Sequence, residues 1–199
     1  MTAETTSPPA SPSLPTGSPE ALAAGAPPRD ALPSPRRPTA VRAPARPSPW
    51  AAVHSTAGVT AVLLGLVGLG AVLHEPVLIP PLAASAALVH SAPTLPLAQP
   101  RSVIVGHLVG AATGFAALAA AGSTAWAAAV AAGVTLALTM VARTPHSPAC
   151  ATAVIIVLQA PDPARFVPLL CAATVLLVLT GCAASRVRRG APRYPAYWW

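Results

Sequence analysis

The stretch from residue 143 to 152 holds the side chains best suited to bind a small solute. It reads Arg143-Thr-Pro-His146-Ser147-Pro-Ala-Cys-Ala-Thr152. Its prolines predict a helix start, where unpaired backbone N–H groups carry partial positive charge and attract anions. His146 adds a group that titrates near neutral pH, and Arg143 adds a fixed positive charge. The pattern favours a small anion; the alternative is that His146 only caps the turn and Arg143 faces lipid headgroups.

A second group of polar side chains opens another apolar stretch. Gln99 and Arg101 stand just before it, and His107 lies about two helical turns inside it. An ionisable residue within a membrane span is a functional candidate because its burial costs free energy. The alternative is that a neutral His107 only bonds to a neighbouring helix.

The remaining chemistry-bearing residues exclude several functions. None of the five acidic residues falls in an apolar stretch, so carboxylate-based hydrolysis and a cation or proton pathway lack candidates. The five histidines have no regular metal-ligand spacing, and the three cysteines include no CxxC pair. We therefore predict no enzyme, no bound metal and no cofactor.

Composition predicts an integral membrane protein. The 199 residues are 54% hydrophobic and only 9% charged, whereas soluble domains carry roughly 25% charged residues. All twelve basic residues are arginines at the ends and in short loops, and the formal net charge is +7. This distribution fits the headgroups of a lipid bilayer better than nucleic acid, which we do not expect as a partner.

Hydrophobic stretches predict an all-α, polytopic membrane helical bundle. Four are long enough to span a bilayer, and two shorter ones begin at prolines, which suit the first turn of a helix. The long stretches are 51–73, 102–122, 125–142 and 165–185, and the short ones are 77–91 and 147–160. In both short stretches a Pro is followed by Ala at +3, a hydroxyl residue at +4 (Ser85 or Thr152) and Ala at +5, which suggests an internal repeat.

The arginines predict the orientation. Both tails are basic, so the positive-inside rule places both termini in the cytoplasm and requires an even number of crossings. Six crossings leave only Arg165 outside, and four, with the short helices re-entrant, leave three arginines outside. We favour six in a cell membrane, which would make the two halves an inverted repeat of the kind found in transporters.

The chain divides into three predicted regions. Residues 1–49 hold half of the 26 prolines and predict a disordered tail. Residues 50–190 form the transmembrane domain. Residues 191–199 form an aromatic tail that we expect at the membrane interface.

The polar motifs resemble those of the HPP family of membrane proteins. The matching elements are Gln99-Pro-Arg101, Gly106-His107 and the run from Arg143 to Thr152, which is similar to the family's Thr-x-His-Pro-Pro-Ala-x-Ala-Thr. Ser147 stands where the family has the first Pro, and Ala84 stands where it has the Gly of a Gly-Ala-Ser element. The resemblance implies a transporter with about four spanning helices, and some relatives are assigned to nitrite transport.

Two functional hypotheses follow. The first is a transporter or channel for a small solute, with a nitrite-like anion as the first candidate and Ser85, Gln99, Arg101, His107, Arg143, His146, Ser147 and Thr152 as solute-binding residues. The second is a membrane scaffold or partner subunit that transports nothing. The sequence leaves open the solute, the energy coupling, the effect of Ser147, and whether the chain forms a homo-oligomer.

Overall fold

The computed structural model describes residues 45–187 and 192–198. The predicted disordered tail therefore lies outside the described residues up to position 44, as do residues 188–191 and Trp199. Within the described ranges the chain forms six α-helices and no strand. They are α1 (Pro49–Leu73), α2 (Pro80–Ser91), α3 (Pro100–Ala121), α4 (Ala125–Val141), α5 (Ser147–Gln159) and α6 (Pro163–Val187), with a 3₁₀ turn at Pro96–Ala98.

Prolines mark where these helices begin. Pro49, Pro80, Pro100 and Pro163 each stand at the first residue of a helix, and Pro148 stands at the second residue of α5. A proline in the first turn loses no hydrogen bond, because the N–H groups there have no partner within the helix. The prediction that both short helices start at their prolines is confirmed for α2 and α5.

The number of long spans differs from the prediction. Among the described residues, three helices are long and apolar enough to cross a bilayer: α1, α3 and α6. The predicted fourth span, 125–142, is wrong as a long span, because α4 has 17 residues and measures about 26 Å at 1.5 Å per residue. Arg143, with φ at 56°, ends the helical backbone there. The internal repeat stays a prediction.

Small residues bring α3 and α5 into close contact. A Cβ added at Gly106 would lie 2.7 Å from the Cβ of His146, and one at Gly110 would collide with the carbonyl of Ala149. One at Gly114 would lie 3.0 Å from the Cα of Ala153. Residue numbers rise together along both helices, so α3 and α5 run parallel. This is the small-xxx-small packing by which membrane helices approach each other.

Contacts between connectors show that α3, α4 and α5, which follow one another in sequence, alternate in direction. At one end, the guanidinium of Arg101 donates to the carbonyl of Ala142 over 2.6 Å, which joins the start of α3 to the end of α4. At the other end, the hydroxyl of Ser123 donates to the carbonyl of Leu158 over 3.2 Å. Helix α5 therefore starts about two turns into α3, beside Gly106 and Gly110, and ends near the level where α3 ends.

Helices α1, α2 and α6 complete the bundle around an apolar core. Leu66, Leu82 and Leu177 are buried there together with Ile156 of α5. The outward faces of the bundle are also apolar: Val72 of α1 remains 75% exposed and Trp126 of α4 85% exposed. A bilayer suits such a surface, because lipid places no cost on exposed hydrocarbon.

Candidate functional site

Four of the eight predicted site residues meet in the interior of the bundle. Ser85, His107, His146 and Thr152 are each at most 2% exposed. The hydroxyl of Ser85 lies 2.8 Å from Nε2 of His107 and 2.8 Å from Nε2 of His146. The hydroxyl of Thr152 lies 2.7 Å from Nδ1 of His107. We call these four residues the imidazole–hydroxyl cluster.

Three helices and one connector place these side chains. Ser85 lies in the middle of α2, His107 two turns into α3, and Thr152 in the second turn of α5. His146 lies just before α5 and reaches the cluster because Gly106 offers no side chain in its path. His146 is the N-cap residue of α5, yet its side chain makes no capping bond. The alternative that His146 only caps the turn is therefore wrong.

With both histidines neutral, one arrangement of protons pairs all four imidazole nitrogens. Nδ1 of His146 must donate to the carbonyl of Leu97, 2.8 Å away, because a carbonyl only accepts. Nε2 of His146 must then accept from the hydroxyl of Ser85.

The remaining protons of the imidazole–hydroxyl cluster follow from that assignment. Ser85 has used its only proton, so its oxygen accepts from Nε2 of His107. Nδ1 of His107 accepts in turn from Thr152. The bonds thus form a directed chain from Thr152 to the carbonyl of Leu97. The positions of these protons are assigned from the bonding pattern.

The side chain of Gln99 bonds to backbone groups of two segments, and its role in solute binding stays a prediction. Its side-chain nitrogen donates to the carbonyls of Pro93 and Leu95 over 2.8 and 2.9 Å. Its oxygen accepts from the backbone nitrogen of Ala196 over 2.9 Å. The side chain is fully buried. Gln99 therefore ties the connector before α3 to the segment 192–198, which we call the C-terminal strap.

Tyr194 anchors the C-terminal strap, and its role was not expected from the sequence. The phenol donates to the carbonyl of Ala98 over 2.8 Å, and the residue is only 5% exposed. Burial, and secondarily Cys182, raise the pKa of this phenol. Tyr194 was predicted to lie at the membrane interface, whereas in this structure only Tyr197 and Trp198 of the strap's aromatic residues are exposed. The residue type is compatible with this role, because the O–H of a buried Tyr usually finds a hydrogen-bond partner.

The other predicted binding residues lie outside the imidazole–hydroxyl cluster. Arg101 bonds to Ala142 at the end of the bundle where the 92–99 connector lies. Arg143 is exposed in the connector between α4 and α5, and Ser147 is exposed at the first residue of α5. These three are close in sequence to cluster residues, and the structure does not bring their side chains into the cluster.

A separate cleft lies between α1, α2, α6 and the strap. Its volume is about 380 Å³, and its lining includes His54 and His90. Nε2 of His90 is buried and has no hydrogen-bond partner. The same is true of Oγ1 of Thr144, which lies in the connector before α5. None of the four cluster residues lines this cleft.

The potential metal ligands of the described residues lie apart from one another. Within residues 45–187 and 192–198, no three His, Cys, Asp or Glu side chains come close enough together to hold a metal ion. Glu75 and Asp162 lie at the opposite end of the bundle from His146, where both pair with Arg165, over 2.8 and 3.7 Å.

Comparison with known proteins identifies the family. The family model described as the HPP transmembrane region matches residues 44–195. The chain is also similar to two transmembrane proteins of Dictyostelium discoideum. One is 32% identical over 126 residues, covering 59% of this chain and 40% of that protein. The other is 36% identical over 132 residues, covering 62% and 46%.

These relatives are longer than the matched region. The chain spans less than half the length of either one. No solved structure is significantly similar to the chain. Because the family model covers more than half of the sequence and includes the whole imidazole–hydroxyl cluster, this chain belongs to the HPP transmembrane family.

Proposed function

We propose that this membrane protein is a transporter or channel for a small solute, with a nitrite-like anion as the first candidate. One observation carries the proposal: two imidazoles and two hydroxyls are buried between α2, α3 and α5 of an apolar bundle. Polar groups inside a membrane protein are expensive to bury and commonly mark a solute or ion pathway. Four apolar side chains would fill the same space at lower cost.

The chemistry of the cluster suits a small anion. Its groups can donate up to four hydrogen bonds, and none of them is a carboxylate. Arg101 and Arg143 lie at the end of the bundle where the connector to His146 lies, and would raise the local concentration of anions there. A planar anion bound beside Ser85 would replace bonds that the four side chains now make to each other.

We further propose six crossings with both termini in the cytoplasm. The alternating helix directions support this topology, because α5 runs parallel to α3 from beside Gly110 to the level where α3 ends. Helices α2 and α5 have 12 and 13 residues, which corresponds to about 18 and 20 Å. They would cross only where the bilayer thins or where longer helices surround them.

A scaffold without transport is the second candidate. The observation that favours it is that each polar side-chain atom of the cluster already has a hydrogen-bond partner in this conformation. A satisfied network of this kind also specifies which helices pack together. The same family membership is compatible with either role.

Flux through proteoliposomes distinguishes the two candidates. Purified protein in liposomes at mildly alkaline pH should pass nitrite faster than empty liposomes, and a panel of small anions ranks the solutes. We expect Ser85→Ala to reduce the protein-dependent flux at least about tenfold, equivalent to ~1.4 kcal/mol, because the hydroxyl that joins both imidazoles is lost. His146→Ala and Arg101→Ala should also lower the flux.

Matched variants control for general damage. Ser91→Ala removes an exposed hydroxyl near the end of the same helix that bonds only to the carbonyl of Ala87, and it should leave the flux unchanged. Arg186→Ala does the same for an exposed arginine on α6. Protein-dependent flux that is zero for every anion, together with a co-purifying partner, would establish the scaffold instead.

A further inference from the structure

The imidazole–hydroxyl cluster can accept one proton without losing a hydrogen bond. An imidazolium at His146 would donate from both nitrogens, to the carbonyl of Leu97 and to the oxygen of Ser85. The hydroxyl proton of Ser85 would then turn to the carbonyl of Pro81, which already lies 3.0 Å away. Every donor in the protonated cluster therefore has an acceptor within reach.

A second proton does not fit in the same way. The two rings lie with their centroids 4.9 Å apart, so two imidazolium charges would repel each other strongly. Protonated His107 would also force the hydroxyl of Thr152 toward the carbonyl of Pro148, 3.4 Å away, which is a long bond. The pair is therefore built to hold one proton between two rings, with Ser85 in contact with both.

Within residues 45–187 and 192–198, the surroundings of the cluster contain no carboxylate that could neutralise this proton. The titratable or charged side chains on the elements packed around His146 are His90 on α2, Arg101 and His107 on α3, Arg143 in its own connector, Cys150 on α5 and Tyr194 in the strap. None of them is a carboxylate. Among the described residues, the acidic ones, Glu75 and Asp162, are paired with Arg165 at the opposite end.

A proton on the cluster and a bound anion would each supply the counter-charge that the other lacks. An imidazolium in this apolar bundle would lack a counter-charge, and a bound anion would have neutral donors but no buried cation beside it. Burying either ion alone is costly, whereas a close pair of opposite charges costs much less.

We propose that the solute anion binds together with one proton, which His107 and His146 share through Ser85. The inference rests on the proposed function and specifies the energy coupling at the same site. The proton comes from the aqueous phase and adds to one imidazole nitrogen, and no other covalent bond changes. A monovalent anion with its proton forms an electroneutral cargo, so a pH gradient drives it and the membrane potential does not.

The neutral proton arrangement can be tested without any solute. The full chain is labelled with ¹⁵N-histidine, placed in lipid bilayers near neutral pH and measured by solid-state NMR. His107 should carry its proton on Nε2 and His146 on Nδ1, which are opposite tautomers. His107→Gln and His146→Gln assign the two signals. Equal tautomers in both rings would overturn the proposal.

Proton uptake on anion binding tests the coupling. Sodium nitrite is added to the protein in weakly buffered lipid nanodiscs, and a pH dye and a calorimeter record proton uptake and anion binding in parallel. We expect close to one proton per bound nitrite. Ser85→Ala should lower this ratio to less than half, whereas Ser91→Ala should leave it unchanged.

The outcomes separate this inference from the function on which it rests. Nitrite that binds without taking up protons overturns the shared proton and leaves the proposed solute intact. Nitrite that does not bind overturns both together. Proton uptake that is equal in wild type and Ser85→Ala shows that Ser85 does not couple the two rings, and it overturns the bridging role.

Discussion

Ser85 is the residue on which the buried cluster depends. Its single oxygen contacts both imidazoles and also lies 3.0 Å from the carbonyl of Pro81. Without it, Nε2 of both His107 and His146 would lose their partner. Leaving a buried polar group unpaired costs about 1–3 kcal/mol, so a purely structural role and a solute-binding role both predict sensitivity at this position. Flux and proton uptake, rather than stability alone, therefore decide its function.

Docking of the C-terminal strap depends on Tyr194, whose phenol donates to the carbonyl of Ala98. Its phenol is buried, and burial raises its pKa above the ordinary value of about 10. The docked strap thus holds the phenol proton more tightly than a released strap would. Docking is fully favourable below pH ~10 and weakens progressively as the pH rises above that value.

Ultraviolet titration of the tyrosinate band measures this effect, because the chain has only two tyrosines. We expect a component that ionises well above pH ~10 in the wild type and disappears in Tyr194→Phe. The same variant should weaken docking by about 0.5–1.5 kcal/mol through the lost bond to Ala98. Tyr197→Phe is the matched control, and the high-pH component should survive in it. Loss of that component in Tyr197→Phe, with its survival in Tyr194→Phe, would contradict the assignment.

At single positions, residue type and cost of burial predicted part of the site. His107, His146, Ser85 and Thr152 were all singled out, because polar groups in apolar stretches need a reason to be there. The backbone partners of Gln99 were not predicted, since an amide before a helix looks the same whether it binds a solute or backbone. Its partners lie six residues before it and about a hundred residues after it. Contacts over such distances in sequence cannot be inferred from local pattern.

At the scale of elements, the close packing of α3 on α5 sets the geometry of the cluster. Gly106, Gly110 and Gly114 lie four residues apart; Gly106 faces the side chain of His146, and the other two face the backbone of α5. This contact holds His107 and Thr152 at hydrogen-bond distance. The spacing was visible in the sequence as a small-xxx-small pattern, although the partner helix was not.

Filling the glycine contact should break the bundle at this position. Gly110→Leu places a side chain against the backbone of Ala149, and overpacking of this kind costs roughly 1–3 kcal/mol or more. Gly133→Leu on α4 is the matched control, because nothing lies within 4 Å of an added Cβ there. Thermal unfolding in detergent should show a lower midpoint for Gly110→Leu, and an equal or higher one for Gly133→Leu because glycine weakens a helix. Equal midpoints for wild type and Gly110→Leu would show that α3 and α5 are not packed this closely.

At the scale of the whole molecule, helix length and helix direction point to different crossing numbers. Three of the described helices satisfy the length of a bilayer span, whereas α3, α4 and α5 alternate in direction and the Arg165–Glu75 pair places the end of α1 level with the start of α6. Hydropathy predicted the membrane location well, because it depends on composition. It could not predict the number of crossings, since short helices can cross when their neighbours shield them from lipid. Only the order of contacts between connectors bears on that question.

Labelling of single cysteines from outside the cell decides between six and four crossings. The background variant has Cys150, Cys171 and Cys182 replaced by alanine, and each test cysteine is placed at an exposed position. Leu95→Cys reports on the connector between α2 and α3, and Ser123→Cys reports on the connector between α3 and α4.

The two topologies predict opposite labelling patterns. With six crossings and a cytoplasmic N-terminus, Ser123→Cys reacts with an impermeant maleimide and Leu95→Cys does not, because α2 has returned the chain to the inside. With re-entrant α2 and α5, the reactive position is Leu95→Cys instead. Asp162→Cys lies outside and Val187→Cys inside under both topologies, so they calibrate the assay. Because α5 runs parallel to α3 and ends at the same level as α3, we expect the six-crossing pattern, and reactive Leu95→Cys with silent Ser123→Cys would overturn it.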